Sequence, residues 1–490
     1  MSKHVVVIGA GFGGLSAAAY IAKQGHRVTV LEKNDQPGGR ALVLHQKGFT
    51  FELGPSWYMM PDVFDEFFAD FGKITADYFE LKQLTPSYRV FTHAASYDVH
   101  TAPKVYELFD RLEPGSAKRL RTLLGEVEAE YKTVRSHLLR KEWLSLRETL
   151  DPQALKMLAH PKLSLSYHRR IARVVQNETL QHILEFMVVF MGGSPRNIPA
   201  VYCLLAHVDM QMGIWYPMGG FGKLASAFEQ VAKEQGATVV YNSPVEKIIT
   251  RRGRAVGVRA AGKNIECDVV VSNADYWHTE SKLLTAQYRS YDETYWSQRS
   301  LSPSGLVMLL GLNKKLPGVS HHNLFLDADW DGHFSNVFDD RVWTGEPLFY
   351  MSAPSVTDPS VAPKGHENLF ILAPQAAGLQ PDKATLERTA DAIIDRIEAK
   401  AGVSIKSNIV YRDVRAQNYF KATFNAYMGN AFGLAHTLLQ TAPLRPRIQS
   451  KKLPNLYYVG QYANPGTGVP IVTLSGKLVG SKVSQDLFLA

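Results

Sequence analysis

The stretch from His4 to Glu32 constrains the fold more than any other in this chain. His4–Ile8 is a short, mostly β-branched run, the pattern of a buried parallel strand. Gly9, Gly11 and Gly14 follow in the positions of G-x-G-x-x-G, and an alanine-rich helical stretch runs on to Gln24. Gly25 and His26 make a turn, and Arg27–Leu31 reads as a second strand ending at Glu32. A glycine motif alone is weak evidence, because glycine-rich turns occur in unrelated α/β proteins. Here strand, loop, helix, strand and terminal acid stand in order, as a dinucleotide-binding βαβ unit requires. The glycines permit a tight turn, close approach of a pyrophosphate and close helix–strand packing. The helix start offers free N–H groups and the positive end of its dipole. Glu32 is placed to accept hydrogen bonds from a ribose diol, and its charge would repel a 2′-phosphate.

A second block of similar grammar comes later. Residues 222–235 have the spacing of an amphipathic helix, and 237–241 read as a strand. The runs 246–251, 255–260 and 265–272 then read as a meander of strands. Between the two blocks lies a long charged stretch read as helical, where Leu120, Leu123, Leu124, Val127, Tyr131, Val134 and Leu138 form one stripe. Residues 286–445 alternate strand-like runs with one clear helix near 384–400. A buried strand at 456–460 precedes a Gly/Pro-rich turn and a last helix expected from about Gly476.

Composition removes several classes. With 45% hydrophobic and 20% charged residues, neither a disordered chain nor a coiled-coil rod is expected. Two cysteines, Cys203 and Cys267, exclude a disulfide scaffold and a cysteine-based metal site. The pair His321 and His322 has no partner at metal-ligand spacing, so core or surface histidines are expected and no metal site. Nothing resembles a G-x-S-x-G elbow or an aromatic-studded basic sheet, so neither that hydrolase type nor nucleic-acid binding is indicated. The apolar run at the N-terminus is too short for a signal peptide. No window of roughly 18 uninterrupted apolar residues suggests a spanning helix.

The residues after Glu32 narrow the cofactor. Lys33 leads into Gly38, Gly39 and Arg40, where two glycines suit a backbone close to the cofactor and the guanidinium suits phosphate oxygens. This element resembles the extension seen in flavoproteins of the amine oxidase and carotenoid desaturase superfamily, which implies FAD. There is no second glycine unit for a separate nicotinamide site. Three further stretches strengthen the likeness: Gly48–Ser56 running into Met59–Pro61, Gly213–Gly220, and Leu456–Pro470 with Ser475–Lys477. In this order, from residue 3 to about 485, they resemble the bacterial-type phytoene desaturases and their diapophytoene relatives.

That resemblance implies an α/β fold. It consists of a discontinuous Rossmann-like FAD-binding domain of the amine oxidase and glutathione reductase kind, an inserted mixed sheet-and-helix substrate domain, and a helical membrane-facing lobe. The implied division is 1–75, 216–285 and 445–490 for the FAD domain, 76–215 for the helical cap, and 286–444 for the substrate domain. The implied FAD contacts are Gly9, Ala10, Gly11, Gly14, Glu32, Lys33, Gly39, Arg40, Gly54, Pro55, Ser56, Val245, Gly460, Gln461, Gly468, Val469 and Pro470. The Gly54–Pro55 turn would lie near the flavin ring and Val245 near the adenine. Amine oxidases carry an acid at the position of Gln461; this neutral residue points toward carotenoid desaturases.

The implied reaction is desaturation of an apolar polyene, phytoene or a related C30–C40 carotenoid. No side chain accepts a hydride, so the flavin does, and a base or water takes a proton from the neighbouring carbon. Arg147 and Glu148 match a family segment with such a basic–acidic pair and are the catalytic candidates; a solvent-facing salt bridge is the plainer reading of them. Isomerases, terminal oxidases, saturases, amine oxidases and a non-enzymatic prenyl-binding escort on the same scaffold are the alternatives. At ~0.8 kcal/mol per CH₂, drawing a chain of about forty carbons from a bilayer into water costs up to roughly 30 kcal/mol. A monotopic, peripheral enzyme on the cytoplasmic face of the membrane is therefore expected, with oxygen or a quinone as final acceptor. Residues 153–175 mix Leu, Met, Ile and Val with Lys and Arg as an interfacial helix pair would, and the net charge of +8 favours an anionic surface. Residues 183–215, rich in Phe, Met and Val, are expected either at the membrane or lining a substrate tunnel.

Overall fold

The computed structural model describes residues 2–144, 148 and 165–489. A five-stranded parallel sheet forms around His4–Ile8, in the order Leu456–Tyr458, Val269–Ser272, His4–Ile8, Arg27–Leu31, Thr238–Val240. Val5, Val6 and Val7 are fully buried, as a central parallel strand covered on both faces must be. Chain order reverses at His4–Ile8, which has Arg27–Leu31 on one side and Val269–Ser272 on the other. Ligands of such sheets bind outside the carboxyl ends of the strands at that switch point.

The helix Phe12–Lys23 follows the glycine loop as the spacing predicts. The last helix, Val469–Leu489, lies close against it. A Cβ on Gly476 would stand 2.4 Å from the Ser16 Cβ, and one on Gly480 would stand 2.6 Å from the Tyr20 Cβ. The last helix starts seven residues before the expected Gly476. Gly468 C=O accepts from Val472 N–H at 2.8 Å, and Pro470 occupies the first turn, where its missing N–H has no partner to lose.

The expected strand 265–272 is two strands. Lys263–Glu266 pairs antiparallel with Arg254–Ala260, which pairs with Val245–Arg251. The chain then crosses to the parallel sheet as Val269–Ser272, and Asn455 Nδ2 pins the crossing by donating to Asp268 O at 2.7 Å.

A second sheet has seven strands in the order Ile409–Arg415, Ser304–Leu312, Glu367–Gln375, Phe349–Ser352, His322–Phe325, Tyr88–Phe91, Ser96–Val99. Every residue of Ser304–Leu312 is buried, which explains its continuous apolar run. The last two strands come from the stretch read as helical: Tyr88, Val90, Phe91 and Val99 are buried in a hairpin that separates the helix Pro61–Asp70 from the helix Val105–Leu112. Within Ser116–Ser136 the predicted stripe is buried at Leu120, Leu123, Leu124, Val127 and Tyr131.

Candidate active site

One cavity runs from the glycine loop and Glu32, past Arg40 and the Gly54–Ser56 turn, into an apolar chamber between the two sheets. Gly9, Gly11, Glu32, Lys33, Gly39, Arg40, Gly54, Pro55, Ser56, Val245, Gly460, Gln461, Gly468, Val469 and Pro470 all line it. Ala10 and Gly14 stand behind the lining. Ala10 N–H donates to Glu32 Oε2 at 2.7 Å, while Asn34 N–H holds Oε1 at 2.9 Å, so the carboxylate is fixed in place. A Cβ on Gly14 would stand 2.2 Å from the Gly9 carbonyl oxygen, so only glycine lets the helix approach the strand this closely. Gly54 meets the same limit, 2.1 Å from the Arg40 carbonyl oxygen.

Arg40 is the main cation of this wall. Its guanidinium stands 4.0 Å from the Asp275 carboxylate. With the Gln461 amide turned so that its oxygen meets these donors, that oxygen accepts from the two terminal nitrogens of Arg40 at 2.9 and 3.2 Å and from Gly433 N–H at 3.1 Å. The neutral residue at 461 thus serves the arginine directly. Arg40 Nε has no partner among the described residues. Burial pushes the Asp275 carboxyl up to about 6 against the opposing pull of Arg40, and burial likewise lowers Arg40 against Asp275. Lys33 Nζ is drawn aside to Ala422 O at 2.8 Å.

Two polar lining residues beside the glycine loop escaped sequence reasoning. Asn273 donates to Gly9 O at 3.4 Å, and Asp275 caps the turn Tyr276–His278 through His278 N–H at 3.3 Å. Both follow Val269–Ser272, whose carboxyl end abuts the glycine loop. The available signal was the position just after a buried parallel strand.

The far end of the cavity is apolar. Trp57, Met187, Phe190 and Leu205 face it from one side, Phe370 and Leu372 from the seven-stranded sheet. Met187 and Val208 are 3% and 1% exposed, so this part of 183–215 lines the cavity. A short polar chain interrupts the apolar wall: Ser56 Oγ lies 2.7 Å from Tyr350 OH, which lies 2.7 Å from His322 Nδ1. His321 and His322 are buried, as core histidines would be, and no cluster of metal-ligating groups occurs among the described residues.

The remaining sequence candidates lie elsewhere. Arg147 and residues 153–164 are outside the described residues. Glu148 accepts from the backbone N–H of Trp143 and Leu144 at 3.0 and 2.7 Å and is not in the cavity wall. In 165–175, Ile171 and Val175 are fully buried, and Arg170 is 5% exposed and bonded to Glu126 and Glu130. That part packs inward, against the expectation of a membrane face, because its apolar side covers the helix Ser116–Ser136.

The sequence model of the "Flavin containing amine oxidoreductase" family matches residues 12–483. The carotenoid 3,4-desaturase of Haloarcula japonica is 38% identical, with 99% of each chain covered. The zeta-carotene-forming phytoene desaturase of Myxococcus xanthus is 35% identical over 97% of this chain and 93% of its own. Among solved structures, an oxidoreductase from Methanosarcina mazei superposes with a TM-score of 0.63 over 97% of this chain and 99% of its own, at 19% identity.

Proposed function

Because the chain belongs to the flavin containing amine oxidoreductase family, and within it to the carotenoid desaturases, we propose that its cavity binds FAD and a carotenoid end to end. It is an FAD-dependent oxidoreductase of CH–CH bonds acting in carotenoid biosynthesis. The observation that carries the reading is the single cavity joining a dinucleotide loop to an apolar chamber. The residues fit the cofactor: Gly9, Gly11 and Gly54 present bare backbone to the cavity, and the buried Arg40 Nε still lacks an acceptor that a phosphate would supply.

Glu32 would hold the ribose diol, Val245 the adenine, Arg40 and the start of Phe12–Lys23 the pyrophosphate, and Gly54–Ser56 with Gly468–Pro470 the ring system. When bound, FAD supplies the two-electron acceptor for a hydride from an allylic carbon. The chain itself orients the polyene between Trp57, Phe190 and Phe370 and keeps water from the cationic carbon that hydride loss leaves.

The substrate's insolubility supports peripheral attachment to the cytoplasmic face of a membrane, with a quinone or oxygen as final acceptor. Among the described residues no helix is long and apolar enough to cross a bilayer. Leu438, Leu439 and Leu444, 47%, 74% and 45% exposed on one loop, are the side chains that would enter the lipid surface.

The test is incubation of purified protein with FAD and phytoene in liposomes. Red-shifted absorbance of a lengthened polyene is expected. A protein that neither carries nor takes up FAD, or that leaves the spectrum unchanged while releasing peroxide from amines, sinks the proposal.

A further inference from the structure

The cavity wall beside the Gly54–Pro55 turn contains one hydrogen-bonded chain of titratable groups that cofactor binding does not use. Tyr350 lines the chamber, and its hydroxyl is 2.7 Å from Ser56 Oγ, two residues after Gly54. On its other side the same hydroxyl is 2.7 Å from His322 Nδ1. The His322 ring is fully buried and stacks on Trp57, with centroids 4.5 Å apart and planes at 6°. His322 Nε2 has no partner among the described residues, so the imidazole enters no ion pair through that atom. The ring of His321 lies 4.5 Å from that of His322, and His321 Nδ1 is 2.8 Å from Thr357 Oγ1 at the half-buried rim.

We propose that Tyr350 is the catalytic residue that takes the substrate proton and that His322, acting through it, is the proton's first destination. The proposal rests on the desaturase reading. After a hydride has left one carbon for the flavin, the neighbouring C–H bond breaks. Its electron pair becomes the new C=C π bond. The proton goes to the Tyr350 oxygen as the Tyr350 proton moves to His322 Nδ1. The neutral polyene and an imidazolium at His322 result, and the imidazolium holds the proton. Charge and atoms balance with the two-electron acceptor that the proposed desaturation already requires.

Three physical points favour this chain over a surface carboxylate. Ser56 holds the phenol beside the Gly54–Pro55 turn, which the proposed cofactor pose sets at the flavin ring. Stacking on Trp57 and the Tyr350 hydrogen bond orient the imidazole, as a relay needs. Burial keeps His322 well below the usual imidazole range, so Nδ1 is open to a proton at neutral pH. Weak basicity is no handicap, because a C–H bond next to a carbocation is far more acidic than imidazolium.

The test uses full-length, FAD-loaded Tyr350→Phe, His322→Gln and the double variant in the liposome assay. Each single variant is expected to lose roughly 100-fold in kcat with KM unchanged, and the double to lose no more than either, because the two act as one unit. With substrate deuterated at the carbon that loses the proton, a larger primary isotope effect is expected in Tyr350→Phe than in wild type. ¹⁵N-histidine NMR of the protein without FAD should show the His322 Nδ1 signal shifting when Tyr350 becomes Phe. Wild-type kcat in Tyr350→Phe, an unchanged isotope effect, or multiplicative losses in the double overturn the relay. Should Tyr350→Phe fail to load FAD, His322→Gln decides by the same measurements. Absence of any product from wild type overturns the desaturase reading itself.

Discussion

The Arg40 guanidinium sits between the Gln461 amide and the Asp275 carboxylate, and its Nε has no partner among the described residues. Removing it leaves Asp275 buried without its cation, which costs stability as well as affinity. The two effects separate. Arg40→Gln is expected to weaken FAD binding by about 10- to 100-fold, the range of a charge-assisted hydrogen bond, and to lower thermal stability. Adding Asp275→Asn should restore the stability and not the affinity. Flavin fluorescence titration with calorimetry checks both, and wild-type FAD affinity in Arg40→Gln would remove it from the pyrophosphate site. Arg40 was legible from sequence because it follows Gly38 and Gly39 at short range. Asn273, Asp275 and Tyr350 were not, because strand pairing such as Val5 with Val269 brings them to the site from far along the chain.

At the scale of elements, the short π-helical turn Val208–Met212 carries a buried carboxylate. Asp209 is 3% exposed, accepts from Tyr88 OH at 2.8 Å, and its Oδ1 has no partner among the described residues. Burial raises its pKa from 3.8 to about 7, opposed by the Tyr88 hydrogen bond. The folded state therefore binds this proton more tightly than the unfolded chain. Stability from this group is full below pH 4, falls as pH rises toward 7, and is lost above it, by an amount on the order of 4 kcal/mol. Asp209→Asn should be more stable than wild type at pH 8 and lose that advantage near pH 4. Denaturant midpoints at the two pH values read this, and a pH-independent difference would contradict it. The helix stripe 120–131 was legible because its period is local. The hairpin Tyr88–Val99 was not, because its strands are held by the parallel partner His322–Phe325 rather than by a strong pattern of their own.

At the scale of the whole molecule, charge and exposed apolar surface act together. On the proposed peripheral attachment, the +8 balance would attract an anionic bilayer weakly, and the loop carrying Leu438, Leu439 and Leu444 would convert attraction into insertion. Replacing Leu439 and Leu444 by Asp is expected to reduce binding to anionic liposomes at least tenfold, since each buried leucine contributes roughly 1.5–3 kcal/mol. FAD content should not change, because these side chains are not part of the cavity wall. Flotation at low and high salt measures it, and unchanged binding would remove this loop from the proposed membrane contact.

By itself the sequence determined the cofactor half of this protein. A phosphate-binding loop needs bare backbone at set intervals, a following helix and an acid on the next strand, and all of these lie within 40 consecutive residues. Tertiary structure alone decided the half proposed to take the substrate. The apolar chamber is assembled from the turn 54–57, the stretch 187–208 and the strands of the seven-stranded sheet. No local pattern encodes that meeting, because burial in a shared cavity depends on which faces the sheet and helices turn toward one another. The Ser56–Tyr350–His322 chain arose the same way: three ordinary polar residues, far apart in sequence, become a candidate proton path only where the two sheets meet.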